Sequence, residues 1–209
     1  MGKAALAVLL LAPAGAGAGT VTITALGDSL THGYGLAQGD GFVPQLQEWL
    51  TDQGADVRVI NAGVSGDTTA GARARVEWAL ADGPDAVIVA LGGNDVLRGL
   101  PADAARENLA AILATAAPQP VLLVGIAAPG NFGAAYQAEF DTLYADLAQE
   151  FDTLLYPDFL GPLRDAQSDA AARGQWVQAD GIHPNRDGVA RIVADMGPLV
   201  LDLIARAAP

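Results

Sequence analysis

Ala86-Val87-Ile88-Val89-Ala90-Leu91 is an unbroken apolar run, followed at once by Gly92-Gly93-Asn94-Asp95. A strand with one wet face alternates apolar and polar residues, whereas a strand covered on both faces does not. The run therefore reads as a strand of a parallel sheet buried on both sides, and the glycines mark its end. Working outward, residues 21–26, 57–61, 121–126 and, more weakly, 153–156 read as further strands. Helical patterns fill the gaps. Residues 42–52 carry Phe42, Leu46, Trp49 and Leu50 at helical spacing, and 69–80 follow the capping candidates Asp67 and Thr68. Residues 102–116 follow Pro101, and 134–151 align Phe140, Leu143, Tyr144 and Leu147. A last helix starts at Asn185 or Arg186, and Met196-Gly197-Pro198 is expected to break or kink it before 199–206. Strict alternation of strand and helix predicts a three-layer α/β/α sandwich.

Composition bounds what such a domain does. The chain has 209 residues, 51% of them hydrophobic, enough for one domain with a sizeable core. A net charge of -13 repels nucleic acid and gives no attraction to anionic membranes. The absence of cysteine removes disulfides, thiol nucleophiles and zinc–thiolate sites together. At the start, Lys3, an apolar stretch over 4–11 too short to span a bilayer, and Ala-Gly-Ala triplets over 14–18 form the pattern of a cleaved export signal. The expected organisation is a signal peptide over 1–18 and one domain over 19–209, exported to the periplasm or secreted, with a monomer favoured and the oligomeric state otherwise open. Arg191, Asp195 and Asp202 interrupt the last helix, so stable membrane insertion is not expected.

In doubly wound sheets, ligands sit beyond the carboxyl ends of the strands. Ser29 follows the first strand, Gly66 the second and Asn94 the third, so all three fall at one edge. Ser29, in Gly27-Asp28-Ser29-Leu30, is a candidate nucleophile, although a serine there can equally cap a turn. A serine hydroxyl needs a base, and the chain has two histidines. His32 reaches Ser29 only through a strained local turn. His183 has Asp180 three residues earlier, within reach of Nδ1, and Pro184 stiffens the backbone beside it. Such an aspartate fixes the tautomer and stabilises the imidazolium, though a turn aspartate before a capping histidine has the same spacing. The Gly66 N–H, the Asn94 carboxamide and the Ser29 N–H are candidate oxyanion donors. Taken singly, Gly66 and Asn94 fit a turn or an N-cap equally well.

These blocks taken in order, Gly27-Asp28-Ser29-Leu30, Val64-Ser65-Gly66-Asp67, Gly92-Gly93-Asn94-Asp95 and Asp180 with His183, resemble the SGNH subgroup of GDSL-type hydrolases. The flanks Thr31-His32-Gly33-Tyr34 and Gly181-Ile182-His183-Pro184-Asn185-Arg186-Asp187 are most similar to its thioesterase, protease and lysophospholipase group, which includes arylesterases. The resemblance implies a flavodoxin-like sheet of five parallel strands in the order 2-1-3-4-5. It implies acyl ester or thioester substrates, and neither cofactor nor metal. Within that group the loop Val96-Leu97-Arg98-Gly99-Leu100 lines the acyl site, with Gly99 as a pivot, and Ala127-Ala128-Pro129 faces it. Leu97, Arg98, Gly99, Ala128 and Pro129 are thus the expected substrate contacts.

Three rival readings share the same fold. One is a glycan or peptidoglycan deacetylase on the same machinery. Another is a non-catalytic binding module, which usually loses one of Ser29, Asp180 or His183. The third is a nucleotide or flavin binder, but neither G-x-x-x-x-G-K-[ST] nor a strand-turn-helix G-x-G-x-x-G occurs here.

Overall fold

A computed structural model describes residues 19–128, 132–164 and 174–208. The expected signal peptide over 1–18 and the expected substrate contact Pro129 lie outside the described residues. Strands β1 (Val21–Gly27), β2 (Val57–Gly63), β3 (Ala86–Ala90), β4 (Val121–Val124) and β5 (Leu154–Tyr156) form one sheet, ordered β2-β1-β3-β4-β5. Every pairing is parallel, so the expected topology holds. The burial of each strand follows its place. Every residue of β3 and β4 is buried, whereas β2 and β5 at the edges are largely half-exposed. That is why the central run lacks alternation and the last strand is the weakest to read.

Among the described residues, the α-helices with both ends described are α1 (Ser29–His32), α2 (Phe42–Asp52), α3 (Thr69–Arg73), α4 (Val76–Ala79), α5 (Gly93–Leu97), α6 (Ala102–Ala116), α7 (Ala134–Glu150) and α8 (Arg186–Ala207). Helices α2 and α8 pack together, and α6 packs between α3 and α7. Two expectations are corrected. The single helix over 69–80 is two, because Arg75 leaves helical geometry at φ -123° and turns its side chain inward. The break at Met196-Gly197-Pro198 does not occur, and α8 runs through Pro198. Pro198 removes one N–H, but Ile192 and Met196 before it and Val200 and Leu203 after it are fully buried and hold both halves in place. Gly197 instead serves packing: the Trp49 ring of α2 lies where its Cβ would be.

Register aligns the carboxyl ends. Gly63, Gly27, Ala90, Val124 and Tyr156 stand in one row across the sheet. The segments leaving Gly27, Gly63, Ala90 and Val124 build the site.

Candidate active site

Ser29 opens α1, two residues past the end of β1. Asp28 caps this helix, its Oδ1 accepting the Leu30 N–H at 3.0 Å, and Gly33 ends it in the left-handed region. A Cβ at Gly27 would collide with the Thr31 side chain, so the turn from strand to helix needs a glycine there. The result is a serine at a helix N-terminus, held in a short rigid turn.

His183 comes from the far end of the chain. Asp180 Oδ1 accepts the main-chain N–H groups of Ile182 at 2.9 Å and His183 at 3.0 Å, which winds residues 180–183 into a tight turn. The Val177–Pro184 bridge closes the base of this turn. Gln178 Nε2 then donates to the carbonyls of Pro184 and Tyr34, both at 2.9 Å, fastening the turn to the segment after α1. The Tyr34 ring lies 4.8 Å from the His183 ring, centroid to centroid. With the ring proton on Nδ1, His183 donates to Asp180 Oδ2 at 2.6 Å, and Ser29 Oγ–H donates to Nε2 at 2.8 Å. Serine, histidine and aspartate thus form one continuous chain of hydrogen bonds. His32 takes no part in it and bonds Ser65 Oγ through Nδ1 at 3.1 Å.

Gly66 and Asn94 converge on the same place. Gly66 has φ 86°, open to glycine, and its carbonyl accepts from Arg98 Nη2 at 2.9 Å. Asn94 Nδ2 donates to the Asp67 carbonyl at 2.9 Å and lies 3.4 Å from Asp28 Oδ2. Below them, the buried Asp95 carboxylate accepts the Thr69 N–H at 2.9 Å and hydroxyl at 2.7 Å, joining the loops after β2 and β3. Tyr144 Oη donates to the Leu91 carbonyl at 2.9 Å and packs on Gly92, supporting the turn that leads to Asn94.

Ser29, Gly66, Asn94 and His183 line one cleft of about 440 Å³. Its apolar wall comes from Leu30, Val96, Leu97, Ile126, Leu160 and Ile182. The expected substrate contacts divide. Leu97 lines the cleft, but Arg98 reaches across to Gly66, and Gly99 packs on Phe132. Ala128 is 3% exposed and belongs to the core, while Ile126 and Ala127 form the wall. Residues just past a strand do not keep its alternation, so which of three consecutive side chains faces the cleft could not be read from pattern. Tyr34, Leu160 and Gln178 escaped sequence reasoning for a related reason: the Tyr34 ring against His183, the Gln178 bond to the Tyr34 carbonyl and the place of Leu160 in the cleft each join segments far apart in the chain.

Two carboxylates here differ in their environment. For Asp180, desolvation is the largest single influence and raises its pKa. The Ile182 N–H, both His183 N–H bonds and the His183 charge together outweigh it and hold the group below the usual carboxylate range. Asp28 is 2% exposed, and burial pushes it up to about 6 against the Leu30 N–H bond and the His183 charge. The folded protein therefore holds this proton more tightly than the unfolded chain does. The resulting stability is complete below about pH 4 and is lost as pH rises through about 6. Asp28→Asn keeps a capping oxygen and removes the titration. Between pH 4 and 7 the wild type should lose about 2 kcal/mol relative to this variant, measured by chemical denaturation. Parallel stability curves for the two proteins would refute the assignment.

A parallel α/β/α sandwich with a serine, a histidine and their polar partners gathered at its carboxyl edge has the architecture of an ester hydrolase. Residues 25–191 match the GDSL-like Lipase/Acylhydrolase family, and the chain belongs to that family. It is 38% identical over 182 residues to Esterase TesA of Pseudomonas aeruginosa, covering 86% of this chain and 87% of that one. It is also 38% identical over 166 residues to Thioesterase 1/protease 1/lysophospholipase L1 of Escherichia coli, covering 78% and 74% respectively. A crystal structure of TesA superposes with a TM-score of 0.78 at 37% identity, covering 87% of this chain and 99% of that one. The chain is accordingly an ester-hydrolysing enzyme with the fold of these relatives.

Proposed function

We propose that the enzyme cleaves acyl esters and thioesters of small amphiphilic molecules through an acyl-enzyme on Ser29. The carrying observation is the unbroken hydrogen-bond chain from Ser29 Oγ through His183 to Asp180, opening onto an apolar cleft. His183 takes the serine proton as Oγ attacks the carbonyl and returns it to the leaving group. Asp180 holds the imidazole with Nδ1 protonated and stabilises the imidazolium. Negative charge then develops on the carbonyl oxygen. The N–H groups of Ser29 and Gly66 and the carboxamide of Asn94 receive it. Only one of the two Asn94 N–H bonds is committed, to Asp67; the 3.4 Å approach to Asp28 is weak and yields to an oxyanion. Water attacks the acyl-enzyme by the same steps. The leader over 1–18 supports export of the domain over 19–209.

The cleft's aliphatic wall supports acyl chains longer than acetyl. Each methylene buried there is worth about 0.8 kcal/mol, roughly fourfold in kcat/KM. An aryl hexanoate should therefore outpace the aryl acetate by about tenfold or more, allowing for incomplete burial. Acyl-CoA and lysophospholipid should be cleaved, and acetylated glycan left intact. Measuring kcat/KM across this panel tests the reading. Hydrolysis confined to acetyl groups on sugars would replace it with the deacetylase.

A further inference from the structure

Arg75 lies outside every block that bears the chemistry, between two short helices. Its side chain is 18% exposed, and its guanidinium is divided among three acceptors. Nε donates to Asp67 Oδ2 at 2.6 Å, Nη1 to the Ala62 carbonyl at 2.9 Å, and Nη2 to the Gly27 carbonyl at 3.0 Å. Each acceptor leads into a different part of the site. Gly27 ends the strand that presents Ser29. Ala62 lies near the end of β2, just ahead of the loop that carries Gly66. Asp67 follows Gly66, and its own carbonyl accepts the Asn94 carboxamide at 2.9 Å.

We propose that Arg75 is a positioning residue for oxyanion stabilisation, acting through Asp67 on Asn94. This rests on the oxyanion role given to Asn94 above. An amide nitrogen has two N–H bonds. With one anchored on the Asp67 carbonyl, the direction of the other is set by where that carbonyl stands. Arg75 sets it, because its Nε–H holds the Asp67 carboxylate while Nη1 and Nη2 of the same rigid plane are fixed on the carbonyls of β2 and β1. The loop after β2 is thereby referenced to the same strand that carries the serine. The departure of Arg75 from helical geometry, which divides α3 from α4, is what turns the side chain inward. A lysine keeps the charge but, as a single point donor, does not hold three acceptors at fixed angles.

The test is a double-mutant cycle between Arg75→Lys and Asn94→Ala, reading kcat, KM and melting temperature on the folded enzyme. Asn94→Ala alone should lower kcat by about 10²–10³. Arg75→Lys alone should lower kcat by about 10–100-fold, the cost of a donor displaced by a fraction of an ångström, with KM within about threefold. In the Asn94→Ala background the same lysine should cost less than about threefold, because the group it positions is gone. Equal costs in both backgrounds, or a lowered melting temperature with unaltered kcat, would overturn the role of Arg75 and leave that of Asn94 standing. An Asn94→Ala enzyme with full kcat would overturn the oxyanion reading first, and this proposal with it. Asp67→Asn keeps the main-chain carbonyl and weakens only the ion pair, so it carries the same cycle if Arg75→Lys does not fold.

Discussion

Ser29→Ala should abolish labelling by a fluorophosphonate probe and lower kcat by about 10⁴–10⁶-fold, the loss typical of removing an activated nucleophile. The fold should survive. Among the described residues Ser29 Oγ bonds only His183, and the capping of α1 comes from the Asp28 side chain, which the substitution leaves in place. Melting temperature and far-UV circular dichroism should therefore match the wild type while activity vanishes. A variant that keeps roughly a tenth of wild-type turnover would exclude Ser29 as the nucleophile, since no bystander hydroxyl accounts for several powers of ten.

His183→Ala should be about as severe, near 10⁴-fold or more in kcat, because without a base the serine hydroxyl remains a poor nucleophile. His32→Ala should stay within about threefold of wild type: its ring bonds Ser65 and, among the described residues, has no carboxylate partner. The comparison separates the two imidazoles: His183 bonds both Ser29 and Asp180, whereas His32 bonds Ser65. Steady-state kinetics on one aryl ester decide it. If His32→Ala were the crippled enzyme and His183→Ala the mild one, the base would be misassigned.

Much of the site was legible because its parts are local. The turn that couples Asp180 to His183 closes within three residues, and its hydrogen bonds follow from the short reach of an aspartate side chain. The one-turn helix after Ser29 follows from Asp28 as cap and Gly33 as stop. The strands were legible because burial on both faces demands an apolar run, and parallel pairing follows from alternation with helices, while the order 2-1-3-4-5 came only from the family resemblance. The clearest run proved to be the central strand and the faintest an edge.

What pattern did not reveal depends on where distant segments meet. Nothing near residue 75 marks an arginine that grips carbonyls of two strands, nor does helical periodicity foresee the break between α3 and α4 that turns it inward. Ala128 resembles Ala127 in sequence, yet only Ala127 faces the cleft, since a chain leaving a sheet takes its direction from what packs around it. Pro198 carries a strong local signal to stop a helix, and buried side chains on both sides override it. By itself, then, the sequence determined the layered fold, the residue types of the chemistry and the turns that hold each of them, because these follow from short-range hydrogen bonding and from which side chains must leave water. Only the tertiary structure decided that Ser29 Oγ and His183 Nε2 stand 2.8 Å apart across 154 residues, and which side chains enclose them. That distance is set by the packing of the whole core, and no segment of the chain contains it alone.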